Sequence, residues 1–341
     1  MVITTIAGAT PSHVTAAGTP GSPAVRRVTV IGTGVIGTSV ALALRGAGVQ
    51  VALSDRDAAS LAQAVRMGAG APLRPGTPPA DVVVIATPPS TVVPVLRDAQ
   101  ARGLGAAYTD VASAKGRIAA EAEPAGCDLA SFVPGHPMAG RELSGPAAAR
   151  AELFAGRPWA LCPHAGTSPE AVALVARLVA ICGAEAQVVA PGAHDQVVAA
   201  VSHAPHVVSA ALAAHFAAAD DTTLSLAGAG LGDTTRIAGG APSLWCDILL
   251  QNAEPVAAVL EAVALELAAA AGALRAGGAT ASGVLADLLV RGNLGRERIV
   301  EAASSSRARA AASAHEPAAQ AAPAVPLRAA RAAAPAPLRA A

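Results

Sequence analysis

Arg27-Val-Thr-Val-Ile31 runs straight into Gly32-Thr-Gly34-Val35-Ile36-Gly37, and the reading of this stretch decides the fold. The β-branched run predicts a buried parallel strand, and residues 38–47 beyond the glycines have helical composition up to Gly48. GxGxxG is a weak signal alone. Between a strand and a helix it has the context the physics requires: the first glycine allows a tight turn, the second lets a pyrophosphate approach the backbone, and the third packs helix on strand. Phosphates would sit on the unpaired N–H groups at the helix N-terminus, around Val35, Ile36 and Gly37. Asp55 falls 18 residues beyond Gly37, at the end of a second strand over 49–53. A carboxylate there accepts bonds from the ribose hydroxyls and repels a 2′-phosphate, which favours NAD over NADP. Arg56 beside it works the other way, since an arginine accommodates that phosphate.

Working outward, a helix is expected over 58–67, a strand over 81–86, a helix over 91–102 and a strand over 106–111. Thr87, just past the third of these strands, joins the expected cofactor-binding set. Two further strands are expected at 159–162 and 186–189, with a helix from Pro169 to Cys182 between them. Strand and helix alternate with short connections, which predicts an α/β, doubly wound parallel sheet of Rossmann type covered on both faces. After Pro191 the texture changes: residues 193–219, 242–275 and 281–303 are rich in alanine and leucine and lack strand-like runs, predicting an all-helical domain. The expected organisation is a disordered leader over 1–25, a dinucleotide-binding domain over 26–191, a helical substrate and dimerisation domain over 192–303, and a disordered Ala/Pro/Arg-rich tail over 304–341.

Composition excludes several classes of function. The 341 residues carry 24 basic and 24 acidic side chains, so no overall positive field draws in nucleic acid or an anionic membrane. The apolar stretch 256–274 contains Glu261 and Glu266, which argues against a membrane span. Cys127, Cys162, Cys182 and Cys246 form no CxxC pair, which suits a reducing cytoplasm and argues against a zinc site or a disulfide framework. His194, His203, His206 and His215 lie close in sequence, but no cysteine joins them at metal-ligand spacing and no metal is expected.

Polar segments interrupt this bland chain at Asp110-Val-Ala-Ser113-Ala-Lys115, Gly135-His136-Pro-Met-Ala-Gly140-Arg-Glu142-Leu-Ser144-Gly145, Ser202-His203-Ala-Pro-His206 and Asp233-Thr-Thr-Arg236-Ile-Ala, with Trp245 nine residues after Arg236. In order and spacing this set resembles the prephenate/arogenate dehydrogenases of tyrosine biosynthesis, over about residues 26–303. The resemblance implies NAD-dependent oxidative decarboxylation: hydride leaves a carbinol carbon for the nicotinamide, carbon dioxide leaves the opposite ring carbon, and aromatisation supplies the drive. It implies His136 as general base or hydrogen-bond acceptor for the hydroxyl, a task suited to imidazole. Ser113 would link His136, the hydroxyl and the nicotinamide amide, and it also suits a helix N-cap before Lys115.

Arg236 would clamp a substrate carboxylate with its planar fork. Ser202 and His206, four apart on one helical face, would meet the substrate's side-chain end, with His203 one residue round and structural. Glu142 and Trp245 match positions at the pocket entrance, and Trp245 suits an interdomain core equally well. Lys115, the only lysine, fits either a cofactor contact or a solvent-facing position. Where the family often carries a bulky or basic residue before Asp233, this chain reads Gly230-Leu231-Gly232, which removes a positive charge and loosens the expected loop bearing Arg236.

The substrate implied is prephenate, giving 4-hydroxyphenylpyruvate. The alternatives are arogenate, whose ammonium calls for a carboxylate such as Glu142, Asp195 or Asp233, and a two-domain reductase of imines or 3-hydroxy acids, against which HPMAG argues. An NAD-binding sensor without turnover is the reading from another class. The site is expected in a cleft between the domains, with His136 and Arg236 meeting there, and the apolar helices are expected to form a homodimer.

Overall fold

Valines 82–84 show why the first domain is layered as it is. Val82 and Val84 pack with Val28, Val30, Val175 and Val179, whereas Val83 and Ile85 pack with Val92, Leu96 and Ile118. Alternate side chains of a strand point to opposite faces, so an unbroken apolar run requires cover on both. Burying each of these side chains contributes about 1.5–3 kcal/mol.

The computed structural model describes residues 12–13, 24–140 and 143–315. After β1 (Ser12–His13), the chain forms β2 (Arg27–Ile31), α1 (Val35–Gly46), β3 (Gln50–Ser54), α2 (Ala58–Arg66), β4 (Ala71–Pro72), β5 (Ala80–Ile85), α3 (Val92–Ala101), β6 (Gly105–Asp110), α4 (Gly116–Ala122) and β7 (Phe132–Val133). These strands make a six-stranded sheet in the order β4-β3-β2-β5-β6-β7. Every pairing in it is parallel, with Val30 opposite both Leu53 and Val84. Strand order reverses between β2 and β5, which opens a crevice at their carboxyl ends.

A second sheet was not expected. Strands β8 (Gly135–Pro137), β9 (Pro158–Leu161) and β10 (Glu185–Val188), with α5 (Pro169–Ile181) between the last two, join β1 in the order β1-β10-β9-β8. The runs at 159–162 and 186–189 therefore belong to this smaller sheet and do not extend the main one. The chain steps from β7 to β8 across Pro134 alone. Gly135 makes the step possible: a Cβ there would lie 2.8 Å from Thr109 Oγ1, 2.9 Å from the Asp110 carbonyl oxygen and 3.0 Å from Trp159 Nε1.

The rest is helical: α6 (Pro191–Val198), a π-helical segment (Ala199–His203), α7 (Ala204–Ala214), α8 (Asp221–Ser225), α9 (Ala229–Thr235), α10 (Pro242–Gln251), α11 (Ala253–Ala276) and α12 (Gly278–His315). Pro205 has no N–H to donate, and the ladder widens before it, the Ala204 N–H bonding the Ala199 carbonyl. Gly230 and Gly232 lie inside α9, so the stretch before Arg236 is a helix and not the loose loop expected. Helix α12 runs to His315, beyond the expected end at 303, through alanines and arginines that favour helix.

By length and composition, 191–214 and 253–276 are apolar enough to cross a bilayer, at mean hydropathy 1.5 and 1.8, in contrast to the reading from Glu261 and Glu266. Only 6% of the most apolar window in the second is buried, and Leu265, Leu267, Leu274, Leu289 and Leu294 are exposed.

Candidate active site

The turn after β2 is built for close approach. Gly32 has φ of +101°, and a Cβ there would sit 2.3 Å from the Ala86 carbonyl oxygen; one at Gly37 would sit 2.0 Å from the Gly32 carbonyl oxygen. A Cβ at Gly34 would meet nothing within 4 Å, so space lies open over the N-terminus of α1. That terminus has no side-chain cap and no acid in its first turn, which leaves its N–H groups for an anion. Asp55, just beyond β3, accepts from Thr33 N at 2.5 Å and Thr33 Oγ1 at 2.8 Å through one oxygen, and from Asp57 N at 2.8 Å through the other. These bonds hold the carboxylate beside the glycine turn, next to the exposed Arg56. Thr87 Oγ1 and Ser113 Oγ, past the carboxyl ends of β5 and β6, are buried without a hydrogen-bond partner. Open space, bare helix N–H groups, a fixed acid and two waiting hydroxyls fit a dinucleotide with an amide-bearing ring.

His136 stands on β8, opposite Ala160 of β9. Its Nδ1 lies 2.9 Å from Nε2 of His194, whose Nδ1 lies 2.8 Å from Oδ1 of Asp195. The Asp195 carboxylate also accepts the backbone N–H groups of Lys115 at 2.8 Å and Gly116 at 2.7 Å, at the start of α4. Burial, together with the neighbouring His194, Lys115 and His203, holds the His136 imidazole well below the usual histidine range. The ring is nevertheless only partly buried, so it remains reachable.

Lys115 occupies neither of its expected places. Its side chain is fully buried and ion-paired with Asp110, whose oxygens also accept Ala112 N at 3.0 Å and Gly135 N at 3.1 Å. Asp110 thus ties the start of β8, and with it His136, to the edge of the main sheet.

On the helical side, His203 is fully buried. Asn252 Nδ2 donates to the Asp195 carbonyl at 2.9 Å and meets His203 Nδ1 at 3.1 Å, while His203 Nε2 is buried without a partner. Burial pushes His203 down to about 4, against the pull of Asp195. Trp245 of α10 meets His203 edge-on at 6.3 Å and stacks on His206 at 3.4 Å, with planes 10° apart. Burial also lowers His206, opposed by a hydrogen bond to the Ile237 backbone. Arg236 is exposed on the turn Arg236–Gly239, which continues through Gly240 to the stacked rings of His206 and Trp245. Ser202 is half-buried in the π-helical segment.

His136, His194, Asp195, Asn252, His203, Trp245 and His206 therefore form one contiguous set spanning both halves. Ser113 lies on the segment leading to Lys115, and Glu142 lies outside the described residues. Sequence reasoning weighed His194 only as a metal ligand and missed its bond to His136. Asp195, considered for an ammonium, is instead taken up by three donors.

A family model described as "Prephenate dehydrogenase, nucleotide-binding domain" matches residues 40–188, and one described as "Prephenate dehydrogenase, dimerization domain" matches residues 190–282. A probable prephenate dehydrogenase of Streptomyces niveus, NovF, is 40% identical over 264 residues, covering 77% of this chain and 72% of that protein. The crystal structure of the Aquifex aeolicus prephenate dehydrogenase in complex with hydroxyphenyl propionate and NAD+ is 28% identical, with a TM-score of 0.72, covering 82% of this chain and 99% of the other. Synechocystis arogenate dehydrogenase is also 28% identical, with a TM-score of 0.65, covering 80% and 99%. With a turn shaped for a dinucleotide, a histidine-rich joint between its halves and these relatives, the chain belongs to the prephenate dehydrogenase family and is an oxidoreductase.

Proposed function

We propose that the chain catalyses the NAD-dependent oxidative decarboxylation of prephenate to 4-hydroxyphenylpyruvate. The observation that carries this reading is His136: a reachable imidazole, tied back through Nδ1 to His194, that follows the carboxyl end of β7, as the unpartnered Ser113 hydroxyl follows that of β6 and the glycine cradle that of the parallel β2. Gly32, Gly34, Gly37 and the N–H groups of Val35 and Ile36 would hold the pyrophosphate, Asp55 the ribose, and Thr87 and Ser113 the nicotinamide end. Bound there, NAD+ would supply the acceptor for the hydride of the carbinol carbon. His136 takes the hydroxyl proton as that hydride departs. Held below the usual histidine range, the ring is neutral at pH 7 and ready to accept; a weak base suffices because the hydroxyl becomes strongly acidic as hydride leaves. Arg236 grips a substrate carboxylate, while Ser202, His206 and Trp245 enclose the side-chain end. Carbon dioxide departs with its bonding pair left in the ring, which becomes aromatic.

Prephenate is preferred to arogenate on two supports: the curated relatives of 40% and 32% identity are named as prephenate dehydrogenases, and Asp195, one of the three carboxylates considered for an ammonium, is already engaged by the Lys115 and Gly116 N–H groups and His194. Following NADH formation at 340 nm with prephenate and arogenate side by side, each with NAD+ and NADP+, tests the reading. Turnover of prephenate with NAD+ is expected; turnover of arogenate alone, or of neither, overturns it. We further propose that the exposed apolar faces of α11 and α12 pair two copies into a homodimer, supported by the dimerization-domain match and by the uncovered leucines.

A further inference from the structure

We propose that His194 is a positioning residue that sets the tautomer of His136. Three donors converge on the Asp195 carboxylate: the N–H groups of Lys115 and Gly116 and Nδ1 of His194. A carboxylate that receives such bonds accepts only, so His194 carries its proton on Nδ1 and presents a lone pair on Nε2. That lone pair lies 2.9 Å from His136 Nδ1, which must then be the donor. The remaining lone pair of His136 is thereby on Nε2, the nitrogen not engaged with His194. The opposite tautomer would donate to the substrate hydroxyl where the reaction needs an acceptor.

The device is assembled from both halves of the molecule. His136 comes from β8 and the backbone donors from the start of α4, whereas His194 and Asp195 come from α6. His194 and Asp195 are only 3% and 5% exposed, and Asn252 at the head of α11 holds the Asp195 carbonyl. The acceptor face of His136 is therefore set only when the helical half is docked. In the step itself, the O–H bond of the substrate breaks and its proton moves to His136 Nε2, while the Nδ1 proton stays shared with His194.

This inference rests on His136 being the base, and the test separates the two claims. In the full chain, His194→Leu removes the acceptor, while His194→Gln replaces Nε2 with a carbonyl oxygen at similar reach. His194→Leu is expected to lower kcat on the order of 100-fold, with KM and the Kd for NAD+ within about twofold, and His194→Gln to recover most of it. Nitrogen-15 NMR of labelled histidine should find the His136 proton on Nδ1 in the unsubstituted chain and in His194→Gln, and shifted toward Nε2 in His194→Leu. An Nε2–H tautomer in the unsubstituted chain, or full turnover in His194→Leu beside an inactive His136→Asn, overturns the positioning role alone. An active His136→Asn overturns the base as well. Should His194→Leu fail to fold, the tautomer in the unsubstituted chain decides.

Discussion

Lys115 and Asp110 form an ion pair in which neither side chain is exposed to solvent, and the same carboxylate holds the backbone of Gly135 next to His136. Removing one member strands the other in a low-dielectric interior. Asp110→Ala should cost about 3–5 kcal/mol in urea unfolding, and Lys115→Met a comparable amount, whereas the double replacement Lys115→Met with Asp110→Leu should recover much of it. Single variants as stable as the parent would show the pair to be dispensable.

His136→Asn should lower kcat by about 10²–10⁴-fold, the usual contribution of a positioned base, while leaving NAD+ affinity nearly unchanged. Steady-state kinetics and an equilibrium NAD+ titration measure the two separately. Loss of cofactor binding would place the imidazole in the cradle and not at the reacting carbon.

Asp55→Ser removes the carboxylate held by Thr33 and leaves Arg56 beside the ribose site. The ratio of kcat/KM for NADP+ to that for NAD+ should rise roughly tenfold or more, since a repulsive charge is lost and a phosphate-binding one remains. An unchanged ratio would mean that Asp55 does not face the ribose.

Acid should weaken the fold through buried histidines. His203 titrates near 4 in the folded chain against 6.5 for an ordinary histidine, and His136 is lowered too. Between those values the unfolded state binds more protons, so stability is fully present above pH 6.5 and declines as pH falls toward 4. The urea midpoint should therefore be lower at pH 5 than at pH 7.5, and His203→Gln should flatten the dependence. A midpoint independent of pH over that range, in the parent chain, would contradict the burial seen.

Charges on the bare helical face should block pairing of copies. Leu265→Glu with Leu289→Glu replaces two leucines that are 72% and 67% exposed in the single chain. Sedimentation velocity is expected to show a dimer for the parent and a monomer for the variant. A monomeric parent would remove the dimer proposal.

The first domain was legible because its signals are local. A strand, three glycines and a helix occupy residues 27–46, and the backbone conformations they need are dictated by the residues themselves. The same holds for the alternating apolar faces of β5. The motifs around Ser113, His136, Ser202 and Arg236 could be recognised one by one, yet their order in the chain says nothing about which side chains touch.

Tertiary structure decided the rest. The second sheet depends on Gly135 fitting between β6 and Trp159, a packing fact with no sequence period. The burial of Lys115, the capture of Asp195 and the bond between His136 and His194 join residues far apart in the chain. What the amino-acid order determined was the set of elements and the turn that receives a dinucleotide, because short-range sterics and hydrophobic alternation govern both. What only the folded chain determined was how each ionisable group is charged and aimed, because burial and hydrogen-bond partners arise only once distant segments meet.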